Sequence, residues 1–493
     1  MKRVISLLLV MIFALSLCAC SLDFSAQLES ISDSIFNQVV EMGGGLLKED
    51  TSSGDDYNYD NELIESDTAT STETGTETST ETSTETIPNE PEEPEEPEEP
   101  QGPSLILYER TRLPLNNFIG INLTSDNHKD AKKSYGAVRL YRDFDNFVSD
   151  SNGYGYFFLN GVSPVVHLDM YESLASMDEQ KILDTSRALY DFAVTYSGNM
   201  IFNVKHIELG TAPDVNISAT DYATLLNACY DGANGTLGEK QGFASLDPEI
   251  KLILGQLSTL NIEYIKNVMK EISAQRTDGF LPIGGWSFNY QTGRTPENAY
   301  FKDAVLNALV SYRDSSYSNM ELHLSAFGWD TENASSDYYV APYSTYSSEE
   351  MQCAYILRAY MILNGMGIDR ATLSTFKDTT TDGCGIVKAD GTKKVAFEAL
   401  ATFKSISNGV YFKHALSNGD SNVYSYLFEA ENGKALYGMW TSTGTATYTM
   451  PDLSKYETVT AYVYDATQQA YVEASAPIDE INLTVMPTFI VAE

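Results

Sequence analysis

The sequence predicts an α/β chain built on a (β/α)8 barrel, with an antiparallel β-sandwich behind it and a disordered acidic linker in front. Three observations carry this expectation. From residue 105 to about 408, short β-branched runs alternate with longer stretches of helical periodicity, the pattern of a parallel sheet whose strands are joined by helices. Eight such runs occur, the number that closes a barrel. After residue 409 the pattern changes to short alternating strands separated by Asn-Gly-type turns, as in a small antiparallel domain.

Taken in order, the chain opens on an export signal over 1–19. Lys2 and Arg3 precede an apolar run from Val4 to Leu17, too short to cross a ~30 Å hydrocarbon core. The segment Leu17-Cys18-Ala19-Cys20 resembles the bacterial lipobox, which implies acylation of Cys20 and attachment to the outer face of the cell membrane. The anchor-proximal segment 20–47 has weak amphipathic spacing at Leu28, Ile31, Ile35 and Val39. Residues 48–102 are Thr/Glu repeats followed by Pro-Glu-Glu repeats, with too few apolar groups to bury a core, so they read as a disordered stalk.

That stalk changes what the net charge means. The whole chain carries 31 basic and 69 acidic residues, a formal charge of −38, but residues 49–100 alone hold 19 acidic and no basic ones. From 101 onward the count is 46 acidic against 28 basic. Either figure argues against nucleic acid as a partner, because phosphate recognition needs basic patches. Of five cysteines, Cys229, Cys353 and Cys384 lie in the globular part with no metal-type spacing. They read as isolated thiols, and neither a metal nor an organic cofactor is expected.

The barrel (103–408) has candidate strands at 118–123, 137–141, 164–168, 204–209, 251–254, 285–290, 321–325 and 371–376. Ser176-Met-Asp-Glu179 and Ser347-Ser-Glu-Glu350 have the spacing of capping boxes that open helices. The β-domain (409–493) has candidate strands at 424–428, 435–440, 459–464 and 481–490, with 104–108 as a strand that completes it.

In such barrels the chemistry sits at the carboxyl ends of the strands. The fourth ends in Glu208-Leu-Gly-Thr-Ala-Pro-Asp214, and the seventh in Leu324-Ser-Ala-Phe-Gly-Trp-Asp330. These resemble the Gly-Asn-Glu-Pro-Asp and Thr-Glu-Phe-Gly-Trp-Asp segments of clan A glycoside hydrolases, the retaining barrel glycosidases. Further matches fall in the same order: Arg139 on strand two, 247–255 through strand five, Phe288-Asn-Tyr290 on strand six, and Gly367-Ile-Asp-Arg370 before strand eight. The resemblance implies a retaining site with an acid/base Glu on strand four and a nucleophile Glu on strand seven, ~5–5.5 Å apart. This chain has Ala212 and Ala326 at those positions, and a methyl group can neither donate a proton nor attack carbon. Thr211 replaces the family's Asn, Asn289 replaces a His, and Phe376 stands near a usual Trp.

The expectation is therefore a catalytically silent, glycosidase-like surface protein that binds a carbohydrate or a protein partner. Ligand contacts are expected from Arg139, Gln256, Trp286, Asn289, Tyr290 and Trp329, with His167, Asp169 and Asp378 as further strand-end candidates. Tyr338, Tyr339, Tyr343 and Tyr346 form either an aromatic lip or ordinary surface. One alternative is an active hydrolase with relocated carboxylates, for which Asp214, Asp330 and Glu332 are the candidates. Glu208 lies about 13 Å deeper along its strand and is expected to be a core charge paired with a basic residue. Another alternative is a structural or adhesive surface protein.

Overall fold

Strands covered by helices outside and by side chains inside are buried on both faces, which is why their sequences are continuous apolar runs rather than alternating ones. A computed structural model describes residues 105–106, 108–123, 132–197, 204–416, 419–474 and 479–493. The signal segment, Cys20 and the acidic linker lie outside the described residues. Eight parallel strands close into a barrel: β1 (Ile119–Leu123), β2 (Ala137–Arg142), β3 (Ser163–Leu168), β4 (His206–Thr211), β5 (Lys251–Leu257), β6 (Gly285–Asn289), β7 (Glu321–Phe327) and β8 (Arg370–Leu373). Each pairs with its sequence neighbours, and β8 closes on β1 through Ala371 opposite Ile119. The side-chain amide of Asn122 on β1 donates across to the Ser325 carbonyl on β7 at 2.8 Å.

Helices α1 (Glu179–Tyr196), α2 (Ala219–Gly235), α3 (Ile262–Gln275), α4 (Ala304–Ser316), α5 (Ser348–Met366) and α6 (Val395–Ile406) surround the barrel. The capping box at Ser347 forms: its hydroxyl accepts from the Glu350 amide while Glu350 reaches back to the Ser347 N–H. The one expected at Ser176 does not. Helix α1 starts two residues later, with Asp178 accepting from the Lys181 amide, because an Asp at the cap serves better than a Ser already donating to the Glu172 carbonyl.

The β-domain is a six-stranded antiparallel sheet faced by a strand pair. The large sheet runs β9 (Tyr411–Leu416), β10 (Val423–Glu429), β11 (Ala435–Thr441), then β16 (Thr488–Ala492), β13 (Val459–Asp465) and β14 (Ala470–Ala474). The pair is β12 (Ala446–Thr449) with β15 (Glu480–Leu483). The single strand expected at 481–490 is thus two strands in different sheets. The segment expected to complete this domain instead pairs Leu105–Ile106, in parallel, with Phe280–Leu281 ahead of β6.

A buried ion pair ties the two domains. Arg358 on α5 and Glu297 lie 3.3 Å apart, both essentially without solvent contact. Glu297 also accepts from the Trp440 indole at 2.6 Å, and Arg358 donates to the carbonyls of Thr441 and Val485. Tyr424 and Tyr426 stack on the two sides of Trp440, each with its ring 5.4 Å away and nearly parallel.

Candidate functional site

The carboxyl ends of β2 to β5 hold a continuous polar network. Arg139 on β2 grips Glu208 on β4 through two parallel bonds, Nε to Oε2 at 2.9 Å and Nη2 to Oε1 at 2.5 Å. Both side chains are buried, and the guanidinium holds the Glu208 carboxyl well below the usual carboxylate range against the upward push of burial. Arg139 Nη2 also donates to Gln256 Oε1 at 2.9 Å, and Tyr141 donates to the same oxygen at 3.0 Å. The Tyr141 ring lies 4.5 Å over the guanidinium.

His167 on β3 is wholly buried beside this pair. Its Nδ1 stands 3.1 Å from Glu208 Oε1, at an oblique angle that makes the contact electrostatic more than a hydrogen bond. Its Nε2 stands 2.8 Å from Thr211 Oγ1, which is also 2.8 Å from Asp169 Oδ1. Burial, together with the positive charge of Arg139, pushes the imidazole below its ordinary pKa, so it is neutral at neutral pH.

The end of β4 is strained. Gly210 has φ +88° and Ala212 has φ +49°, and the chain then turns into the short helix Pro213–Asn216. A side chain at 210 would meet Leu174 at 2.9 Å, so glycine is required there for room as well as for φ. A left-handed alanine costs about 1–2 kcal/mol, and Ala212 is held there by its amide bond to the Gln256 carbonyl at 2.7 Å.

On the far side of the barrel mouth, Ala326 near the end of β7 is 7% exposed. Its carbonyl accepts from the Tyr290 amide at 3.2 Å, and Asn289 on β6 lies opposite it in register. Asn289 Oδ1 is buried with no hydrogen-bond partner. Tyr290 donates to Asp303 at 2.5 Å instead of turning to Ala326, and burial and that carboxylate raise its hydroxyl to about 12.

The carboxylates considered as relocated reagents are otherwise occupied or misplaced. Asp214 accepts from the amide and hydroxyl of Ser258, both at 2.8 Å. Asp330 is buried and accepts from the amides of Glu332 and Asn333, holding its own loop. Glu332 points to solvent at the edge of a cavity lined by Ser347, Lys388 and Gln469. Glu208 is the arginine-paired core charge expected of it.

Several expected ligand contacts are corrected. Trp286 is fully buried and packs outward on Tyr312 and Tyr317, because in a strand buried on both faces nothing in the sequence says which residues point inward. Trp329 is also fully buried, its indole donating to the Arg294 carbonyl at 3.0 Å amid Tyr300, Phe327 and Tyr355. Arg139 is 2% exposed and saturated by its partners, so it braces the site from beneath. Asp378 pairs with Lys394 at 2.7 Å, and Phe376 is packed against Phe397. Tyr141, Asp169, Thr211, Asn289 and Tyr290 are the half-buried groups left at the mouth, with Gln256 at its edge. The tyrosines of the loop after β7 brace it: Tyr343 accepts from the Gly444 amide and Tyr346 donates to Thr484.

The amino-terminal end of the barrel holds a second cluster that the sequence reading did not assign. Glu321 Oε2 lies 3.0 Å from His206 Nε2 and 2.9 Å from His323 Nε2, and the three donor atoms stand within 4.8 Å of one another. Two imidazoles and a carboxylate are a metal-type donor set. Here, however, Glu321 also receives Lys251, and the Arg370 guanidinium lies 3.3 Å from His206 Nδ1 and 3.8 Å from Glu321. Two fixed cations already balance the carboxylate, so the cluster is complete as a hydrogen-bonded core. Cys229, Cys353 and Cys384 are buried free thiols, pushed up in pKa by burial.

No family model matches the chain, and no curated protein matches it either. Solved structures do. A family 39 glycoside hydrolase from the gut symbiont Bacteroides cellulosilyticus WH2 is 17% identical, with a TM-score of 0.56 over 78% of this chain and 82% of that one. A conserved exported protein from Bacteroides fragilis is 9% identical, with a TM-score of 0.56 over 78% of this chain and 98% of that one. The catalytic domain of GH30 xylanase C from Talaromyces cellulolyticus is 11% identical, with a TM-score of 0.51 over 79% of this chain and 98% of that one. At these identities the likeness is one of fold: the chain has a glycoside hydrolase-like TIM barrel.

Proposed function

We propose that this chain is an exported lipoprotein, anchored outside the cell through Cys20, whose barrel binds a carbohydrate and does not cleave glycosidic bonds. The observation that carries the reading is the pair Ala212 and Ala326 at strand ends where the resemblance expects two carboxylates, with the nearest alternatives, Glu208, Asp214 and Asp330, held by other partners. Retaining hydrolysis without a proton donor and a nucleophile at the correct separation has no route. The mouth still offers what sugar recognition uses: half-buried Tyr141 and Tyr290, the donor half of the Gln256 amide, and the unpartnered acceptor of Asn289. The acidic segment 48–102 would lift this mouth away from the membrane.

The test is a panel of polysaccharides and aryl glycosides presented to the full chain in detergent, with binding and turnover measured on the same samples. The expected result is saturable binding to a glycan with no turnover. Glycoside turnover that disappears on replacing Asp214, Asp330 or Glu332 would overturn the silent-site reading. A folded protein that binds no glycan would favour an adhesive or structural role.

A further inference from the structure

The residues around Thr211 form a row that glycosidic chemistry does not call for. From the core outward, Glu208 Oε1 lies 3.1 Å from His167 Nδ1, and His167 Nε2 lies 2.8 Å from the Thr211 hydroxyl. Glu208 and His167 are buried, whereas Thr211 is half-exposed at the barrel mouth. A hydroxyl within reach of a buried imidazole that faces a carboxylate across 3.1 Å resembles the arrangement that activates an alcohol as a nucleophile. Such arrangements recur on unrelated folds and are recognised by roles and distances.

Two further features belong with this row. Thr211 sits between two left-handed residues, Gly210 and Ala212, on a sharp turn from strand into helix, which presents its hydroxyl at the barrel mouth; the alanine carries the backbone strain. Beside it, Gln256 is the direct cross-strand neighbour of Thr211 in the β4–β5 register. Its Oε1 is fixed by Arg139 and Tyr141, which leaves Nε2, the donor end of the amide, as the end that pair does not engage.

We propose that Thr211, His167 and Glu208 form an acyl-transfer site that hydrolyses short-chain carboxylic esters, with Gln256 Nε2 donating to the developing oxyanion. This activity does not rest on glycan binding, although both would use the Gln256 amide at the barrel mouth. As Thr211 Oγ bonds to the ester carbonyl carbon, its proton passes to His167 Nε2. The carbon–oxygen bond to the alcohol then breaks, and the departing alkoxide takes that proton. Water repeats the sequence on the acyl-threonine, giving its proton to Nε2, releasing the carboxylic acid and restoring the hydroxyl. Glu208, held by Arg139, remains a carboxylate throughout. With the imidazole neutral, its Nδ1 proton turned toward Glu208 leaves Nε2 bare to accept from Thr211. In the resting structure the Thr211 hydroxyl donates to Asp169 Oδ1 at 2.8 Å, so attack requires it to turn its proton to Nε2.

The experiment measures hydrolysis of para-nitrophenyl acetate by the full chain in detergent, for wild type, Thr211→Ser, Thr211→Val and His167→Gln. Thermal midpoints are recorded for each, and intact mass is taken after rapid acid quench. The expected result is turnover above buffer that falls by about 100-fold or more in Thr211→Val and His167→Gln, a typical loss when a nucleophile or its base is removed. Thr211→Ser should stay within about tenfold of wild type, since it keeps the hydroxyl. An acetyl-sized adduct on the Thr211 peptide of wild type, absent from Thr211→Val, completes the assignment. Should Thr211→Val or His167→Gln unfold, the Ser variant and the adduct decide. Folded wild type with no ester turnover, turnover unchanged in Thr211→Val, or an adduct mapping to another residue overturns the proposal.

Discussion

Glu208 and Arg139 are both taken out of water and held by two charge-assisted bonds. Removing one partner of such a pair costs more than the pair contributes, because the remaining charge is buried alone. Arg139→Met should destabilise the fold by about 3–5 kcal/mol in urea unfolding, while Arg139→Met with Glu208→Leu should recover most of that loss. A double variant no more stable than the single would show that neighbours of the ion pair matter more than the pair. At this scale the sequence was partly legible. The significance of Ala212 and Ala326 came only from the resemblance, whereas the core role of Glu208 could be read from strand parity. The side-chain row through Thr211 could not, although His167 and Asp169 were picked out as strand-end candidates. Gly210 leaves the strand pleat with φ +88°, so counting alternate residues along β4 fails at the residue that matters.

Helix α5 shows how much of an element can rest on its first turn. Ser347 and Glu350 cap it reciprocally, and Glu350 Oε1 also takes a 2.8 Å hydrogen bond from Tyr464 on β13. The cap thus holds the helix start and touches the β-domain at once. Ser347→Ala should cost about 1 kcal/mol, seen as a lower thermal midpoint with little change in helical circular dichroism. A midpoint equal to wild type would mean that tertiary packing alone fixes this turn. Elements were the most legible level: all eight barrel strands lie at or within a few residues of where β-branched runs placed them. The errors fell at ends and edges. Trp286 was misplaced because in and out are equivalent in a two-sided strand, and 104–108 was misplaced because a two-residue pairing leaves no periodicity to read.

For the molecule as a whole, the amino-terminal charge cluster sets a pH dependence. Burial and the neighbouring Arg370 lower the folded pKa of His206 to about 3 from 6.5, and Glu321 lies well below its usual 4.5. Between those values the unfolded chain binds protons that the folded chain refuses, so stability must fall as pH drops through 6.5 toward 3. Urea midpoints should therefore decline from pH 7 to pH 4, and His206→Gln should flatten the upper part of that decline. An unchanged slope in the variant would place the titration elsewhere. This cluster escaped the sequence reading because His206, Glu321 and His323 lie up to 117 positions apart, and only barrel closure unites them. The order of a barrel followed by an antiparallel sandwich, by contrast, was plain from the change of periodicity.

The chain has three tryptophans, and Trp286, Trp329 and Trp440 are all fully buried. Their emission should be blue-shifted and insensitive to iodide, and a ligand entering the barrel mouth would leave it nearly unchanged. Optical binding assays that rely on indole fluorescence would then report silence even for a tight ligand. Calorimetry, or the tyrosine signal of Tyr141 and Tyr290, is the channel through which this protein would reveal what it holds.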